Sequence, residues 1–213
     1  MNSRFILEDE TGYLLTQLTK EEENFCRELA IKFGKREKWT DTQYGKGILN
    51  SDEDPTLTER TGIYFEYAIH LLTGLPLDTE YKEHGNRFDF PLYVDGKKIT
   101  IETKSRIKPN LIYPKMPEFN DMWYIKARGE NQITFRSLLA DYFIFGFSCE
   151  IAGMAFCKIA GWADNNTINR YKIVGPAISG NHDNYYIHSE HLNKPMDFLY
   201  KFKSDLPSFV GSQ

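Results

Sequence analysis

Cysteine is scarce in this chain of 213 residues: Cys26, Cys149 and Cys157 stand far apart, with no C-x-x-C pair. Such spacing excludes a zinc ribbon and a disulfide framework and leaves buried, reduced thiols as the expectation. Long apolar runs are also missing. None approaches the ~18 residues that a membrane helix needs, and the opening Met-Asn-Ser-Arg-Phe has no apolar signal core. No membrane partner and a cytoplasmic location are therefore expected. The sequon Asn165-Asn166-Thr167 has no use without a secretory route. Excess positive charge is lacking too. The formal net charge is −4, so bulk attraction cannot hold this protein to nucleic acid. Repeats and low-complexity linkers are absent, and Tyr44-Gly-Lys-Gly47 is glycine-rich without the Walker spacing that cradles a nucleotide phosphate.

What is present is a core. Hydrophobic residues make up 41% of the chain and aromatics 15%, enough to exclude global disorder and to fill one sizeable domain over residues 1–213. Most of the aromatics, Trp123, Tyr124 and Trp162 among them, are expected to pack in the core and over sheet faces. Charge is unevenly spread. Residues 1–80 carry 9 basic and 16 acidic side chains, whereas residues 81–136 carry 11 and 7. The middle of the chain is its one basic stretch.

Local signals outline the elements. Thr19-Lys-Glu-Glu reads as a helix cap with an acidic first turn. Phe25, Leu29 and Phe33 follow at helical spacing as far as Gly34. A polar stretch over 40–60 predicts a long loop, and a second helix runs from about Glu59 to Leu72, stopped by Gly74 and Pro76. Residues 1–58 then form a helical extension to a core over about 60–160.

Arg87 to Val94, the pair Asp95-Gly96, and Lys98 to Lys104 predict two strands joined by a tight hairpin. Pro91 places the first strand at a sheet edge or a bulge. Residues 105–120, with three prolines, predict a loop, and Asn131–Ala140 a short helix. Strands are expected at Tyr142–Phe147, Met154–Ala160 and near Tyr185–Ile187. Irregular connections are expected around Gly161-Trp162, Gly175-Pro176 and Gly180-Asn181, and a last helix from about Pro195. Helices interspersed with hairpins give a mixed α/β domain.

Side chains alternate across a strand. In Thr100-Ile-Glu-Thr-Lys104, Glu102 and Lys104 therefore share one face, and Ile99, Ile101 and Thr103 the other. Across the hairpin, Asp89 lies between Phe88 and Phe90. If those rings face the core, Asp89 joins Glu102. Two carboxylates beside an ammonium suit phosphodiester hydrolysis, because Mg²⁺ takes carboxylates, water and phosphate oxygens. A bound cation acidifies water, and a neighbouring lysine can orient or deprotonate that water.

Asp89, Glu102-x-Lys104 and an upstream helix bearing Glu66, in Gly62-Ile-Tyr-Phe-Glu66, resemble the PD-(D/E)XK, or restriction-endonuclease-like, nuclease superfamily. The resemblance covers roughly residues 60–147. Lys158-Ile-Ala-Gly-Trp162 and Leu192-Asn-Lys-Pro-Met196 are similar to a tail of phage-type members. Phe88 stands where the family's structural proline usually precedes the first acid.

The resemblance implies a central mixed β-sheet flanked by helices, and a Mg²⁺- or Mn²⁺-dependent nuclease acting on DNA, as a homodimer where both strands are cut. Asp89, Glu102, the Thr103 carbonyl and the supporting Glu66 would hold metal, and Lys104 would act on water. Arg106 and Lys108, just beyond the motif, and Lys97 and Lys98 at the hairpin tip are candidate contacts to the DNA backbone. Lys126, Arg128 and Arg136 could widen that basic surface.

Each has a plainer reading. Glu66 could face solvent or pair with His70 one turn on, and hairpin lysines are ordinarily just solvated. His188-x-x-His191 offers two ligands where a zinc site needs three or four, and with His182 these histidines read as loop or surface residues. A nuclease-like fold could also serve as a non-catalytic nucleic-acid-binding or assembly protein. Alternatively, the enzyme could cut RNA or branched structures.

Overall fold

The computed structural model describes residues 5–7, 12–34, 57–80, 89–106, 122–125, 140–176, 183–203 and 205–206. Among them, β1 (Ile6–Leu7) and β2 (Leu14–Gln17) precede the helices α1 (Lys20–Gly34) and α2 (Leu57–Thr73). The hairpin of β3 (Phe90–Val94) and β4 (Lys97–Arg106) follows, then β5 (Met122–Ile125), β6 (Tyr142–Ile151) and β7 (Met154–Asp164). The last elements are α3 (Asn165–Tyr171), β8 (Ile173–Pro176), β9 (Asp183–His188), a single 3₁₀ turn at Ser189–His191, and α4 (Pro195–Phe202).

Six strands form one mixed sheet in the order β1-β2-β7-β6-β4-β3. Every pairing is antiparallel except β4 with β6, which run parallel with Ile101 opposite Tyr142 and Arg106 opposite Phe147. A second sheet has the order β5-β9-β8. This is the expected α/β class, with helices flanking a mixed sheet. No described helix is long and apolar enough to cross a membrane.

The apolar residues sort onto the two faces of the large sheet. Phe65, Ile69 and Leu72 of α2 pack with Phe90, Leu92, Ile101, Ile144 and Trp162, and Phe198 and Phe202 of α4 join them. On the opposite face Phe143, Phe145 and Phe147 of β6 pack with Trp123, Ile125, Tyr185 and Ile187 of the small sheet and Ile168 of α3. Strand β6 therefore alternates between two cores, as buried strands in layered folds do. Trp123 and Trp162 are buried at 2% and 5% exposure, so they pack rather than present their rings to a ligand.

Asp95 and Gly96 turn the β3–β4 hairpin at φ 50° and 74°. Two successive left-handed residues match the right-handed twist of the strands, and glycine takes the second at no steric cost. β3 is the outermost strand, which accommodates Pro91 without loss of a ladder bond.

In α1 the buried positions are Glu23, Cys26, Leu29 and Ala30, while Phe25 is 39% exposed. The stripe is rotated from the Phe25–Leu29–Phe33 spacing because Glu23 turns inward. Its carboxylate accepts the Ala155 N–H at 2.5 Å and the Lys20 ammonium at 3.0 Å. A second polar tie holds both helices to β6. Glu150 Oε1 accepts from the Tyr64 hydroxyl at 2.7 Å and from Arg27 Nη2 at 3.3 Å, and is ion-paired with Arg60 at 2.7 Å. Burial, then the bond to Glu150, raises the Tyr64 phenol well above its ordinary range.

Two expected connections are strand instead. Gly161 and Trp162 lie within β7, which pairs with β6 as far as Asp164, and Gly175 and Pro176 lie in β8. Trp162 also exchanges backbone bonds of 3.0 and 2.8 Å with Asn193, so close approach of the Leu192–Asn193 chain explains the glycine at 161. Ser105 and Arg106, expected to begin a loop over 105–120, continue β4 instead, because they pair with Gly146 and Phe147 of β6. The rest of that loop and, apart from the non-helical Ala140, the predicted helix at 131–140 fall outside the described residues.

Gly146 lies in β6 where a Cβ would overlap the Phe65 ring and the Lys158 carbonyl oxygen. Gly146→Ala is expected to destabilise the fold by about 3 kcal/mol or more, the upper range for overpacking. Gly62, in α2, has open space around it. Gly62→Ala should stabilise by ~0.5–1 kcal/mol through helix propensity. Urea unfolding midpoints of the two variants should move in opposite directions.

Candidate functional site

β4 carries the chemistry because its two faces meet different surroundings. Ile101 and Thr103 are aligned with Tyr142 and Ile144, facing α2, and both are buried. Glu102, Lys104 and Arg106 are aligned with Phe143, Phe145 and Phe147, on the face of the small sheet. Within this row the Lys104 ammonium is bonded directly to Glu102 Oε1. Their side chains are 28% and 23% exposed. A one-residue register slip would exchange these faces, so the β3 and β6 pairings on either side fix where the charges point.

Asp89 stands at the start of β3. Phe90 is registered opposite Ile101, yet the Asp89 N–H also donates to the Ile101 carbonyl, at 3.0 Å. The ladder thus carries one extra residue here, as in a bulge. Alternation would put Asp89 on the Glu102 side, but the bulge interrupts it, and the bonds hold its Oδ2 against Thr103, whose side chain faces α2. That oxygen accepts the Thr103 N–H at 2.6 Å and the Thr103 hydroxyl at 2.7 Å. Asp89 is thereby fastened to the residue between Glu102 and Lys104.

Glu66 lies half-exposed on α2. Its charge acts, with those of Glu22 and Glu23, on the Cys26 thiol, which burial already holds well above the ordinary range. Among the described residues no group of three or more His, Cys, Asp or Glu side chains is gathered as metal ligands. Glu66, Asp89 and Glu102 therefore do not form a three-carboxylate cluster. His70, its possible partner, sets Nδ1 against the Leu75 carbonyl at 2.6 Å and its ring against Tyr67.

The basic candidates divide. Lys97 and Lys98 are exposed at the hairpin tip. Arg106 is buried at 7% exposure, its guanidinium 4.7 Å from the Trp123 ring centre, and it anchors β4 to β5 rather than extending an exposed basic surface. Lys108, Lys126, Arg128, Arg136 and His182 lie outside the described residues. His188 and His191 are half-buried with ring centres 6.3 Å apart, and His191 stacks on Tyr171 at 4.1 Å.

Two features escape a reading of the motif alone. Tyr93, 61% exposed, is registered opposite Lys98 and so shares the face of Glu102 and Lys104. Counting register outward from the Asp-Gly turn gives that placement. The second is the hydroxyl of Thr103, which in a strand sequence looks like ordinary β-propensity.

Comparison of the chain with protein-family models, with curated proteins and with solved structures finds no match.

Burial raises all three thiols, and negative neighbours add to the effect at Cys26. At pH 8 a thiol-specific reagent should leave Cys26 and Cys157 untouched in the native protein and reach Cys149 slowly; denaturant should release all three. Groups whose folded pKa is raised contribute stability below the unfolded value, about 8.5 for a thiol, and lose it as pH rises beyond. The urea midpoint should accordingly fall above that pH, and Cys157→Ala should reduce the fall.

Proposed function

We propose that this protein is a nuclease that hydrolyses DNA phosphodiester bonds with the help of Mg²⁺ or Mn²⁺, in the manner of the PD-(D/E)XK superfamily that its motif resembles. One observation carries the reading. Glu102 and Lys104 stand on one half-buried strand face, and Asp89 is fastened at the residue between them. A half-buried ion pair contributes little to stability once its desolvation is counted, so its placement has a better explanation in chemistry.

The donor set fits a hard divalent cation. Glu102 Oε1 already binds a cation, the Lys104 ammonium. Asp89 uses Oδ2 for Thr103, and among the described residues its Oδ1 has no protein partner. Asp89, Glu102 and the Thr103 carbonyl would hold the ion. Such a site supplies few protein ligands and leaves room for water and phosphate oxygens, as Mg²⁺ prefers. When bound, the ion acidifies water and offsets charge on the phosphate.

Lys104 contributes an ammonium that can orient the attacking water and stabilise the developing negative charge. Lys97, Lys98 and Tyr93 extend the same hairpin outward and would meet the nucleic-acid backbone there. Glu66 is a supporting carboxylate at most. A homodimer would place two such sites on the two strands of a duplex, and the resemblance of the later segments favours a phage-type member.

The test is cleavage of circular plasmid, linear duplex, single-stranded and branched DNA, and of RNA, with Mg²⁺ or Mn²⁺. Nicked circles are expected, and Lys104→Ala should lower the rate by about 10²-fold or more, the usual scale for a lost acid–base group. Equal rates in wild type and Lys104→Ala would contradict the mechanism. Binding of DNA without cleavage would favour a nucleic-acid-binding or assembly role.

A further inference from the structure

We infer that Thr103, through its side-chain hydroxyl, is the positioning residue that aims Asp89 at the cation; the inference rests on the nuclease reading above. The residue between Glu102 and Lys104 faces away from both, and its position in the motif requires nothing beyond a strand-forming side chain. Here it does more. The N–H and the hydroxyl of Thr103 reach the same oxygen of Asp89, at 2.6 and 2.7 Å. A backbone N–H alone would leave the carboxylate free to turn about that single contact. Two donors from one rigid, β-branched residue remove that freedom.

The consequence is a division of labour within the carboxylate. Oδ2 is committed to Thr103, while Oδ1 has no protein partner among the described residues. A carboxylate held through one oxygen presents the other in a fixed direction, which is how hydrogen-bonding partners behind a ligand tune a metal site. Thr103 is 9% exposed, so water competes weakly for these bonds and they count for more than on an open surface.

A comparison within the same strand separates this arrangement from a register clamp. Thr100 also gives its N–H and hydroxyl to one oxygen of an aspartate, Asp141, both at 2.8 Å. That pair is reciprocal, because the Asp141 N–H returns to the Thr100 carbonyl at 3.0 Å and to its hydroxyl at 3.1 Å. It ties β4 to the start of β6 at an exposed position. Asp89 sends its N–H to Ile101 instead, so the bond from the Thr103 hydroxyl is not needed to close the ladder. What it fixes is the carboxylate.

The experiment uses the full chain and Mn²⁺ as probe, with affinity read by calorimetry or by the electron-spin resonance of free Mn²⁺, beside plasmid nicking and urea unfolding. Thr103→Val keeps the shape and the backbone N–H but loses the hydroxyl. It should weaken Mn²⁺ binding about 10-fold or more, the usual effect of removing a partner behind a metal ligand. Thr103→Ser should restore affinity to within a few-fold, and Thr103→Val should add no further loss to Asp89→Asn. Should valine prevent folding, Thr103→Ala takes its place.

Wild-type affinity in Thr103→Val, or a loss that serine does not restore, would overturn the positioning role while leaving the nuclease reading intact. Absence of Mn²⁺ binding and cleavage in the wild type would defeat that reading, and this inference with it.

Discussion

The arrangement depends on β4 being held in register from both sides. β3 pairs with it antiparallel through the Asp-Gly turn, and β6 pairs with it parallel along the length from Ile101 to Arg106. Because strand side chains alternate, each one-residue slip would turn Ile101 to the small sheet and Glu102 into the core beneath α2. The cost of burying that carboxylate among Phe65, Phe90 and Ile144 makes slippage prohibitive. The apolar face thus secures the polar one. Two aspartates complete the fixing, Asp141 at Thr100 on the β6 side and Asp89 at Thr103 on the β3 side.

Charge is used locally. A chain of net charge −4 has no general affinity for a polyanion, so any binding of nucleic acid must rely on a small basic region. The middle of the sequence supplies it, and the exposed hairpin tip with Lys97, Lys98 and Tyr93 lies on the same strand pair as Glu102 and Lys104. Arg106, the next basic residue along β4, is withdrawn onto Trp123 and joins the two sheets. In α1 a carboxylate serves an internal tie instead, Glu23 accepting from Ala155 and Lys20.

What was legible in the sequence was local. The capping residues before α1, the glycine and proline after α2, and Asp95-Gly96 each act within a few residues, and those elements lie where expected. Alternation in Thr100–Lys104 foretold which side chains share a face. Long-range pairing was not legible. Nothing near Leu14 announces Ile159 as its partner, and nothing in β5 announces β9. The turn at Ala152-Gly153 places an alanine at φ 52°, without the asparagine or aspartate that usually marks such a hairpin. In the candidate site the Glu102–Lys104 pairing followed from spacing, whereas the Thr103–Asp89 contact required the bulge at the start of β3, which alternation does not foresee. Arg106 looked like a surface cation because its partner ring comes from a strand remote in sequence.

The central claim is that Asp89 and Glu102 share one divalent cation, and crystals soaked in Mn²⁺ test it most directly. Diffraction data collected at the manganese absorption edge should show one anomalous peak in contact with both carboxylates and with the Thr103 carbonyl, and Asp89→Asn should abolish it. No peak between those groups at saturating Mn²⁺, or a peak that persists undiminished in Asp89→Asn, would contradict the account.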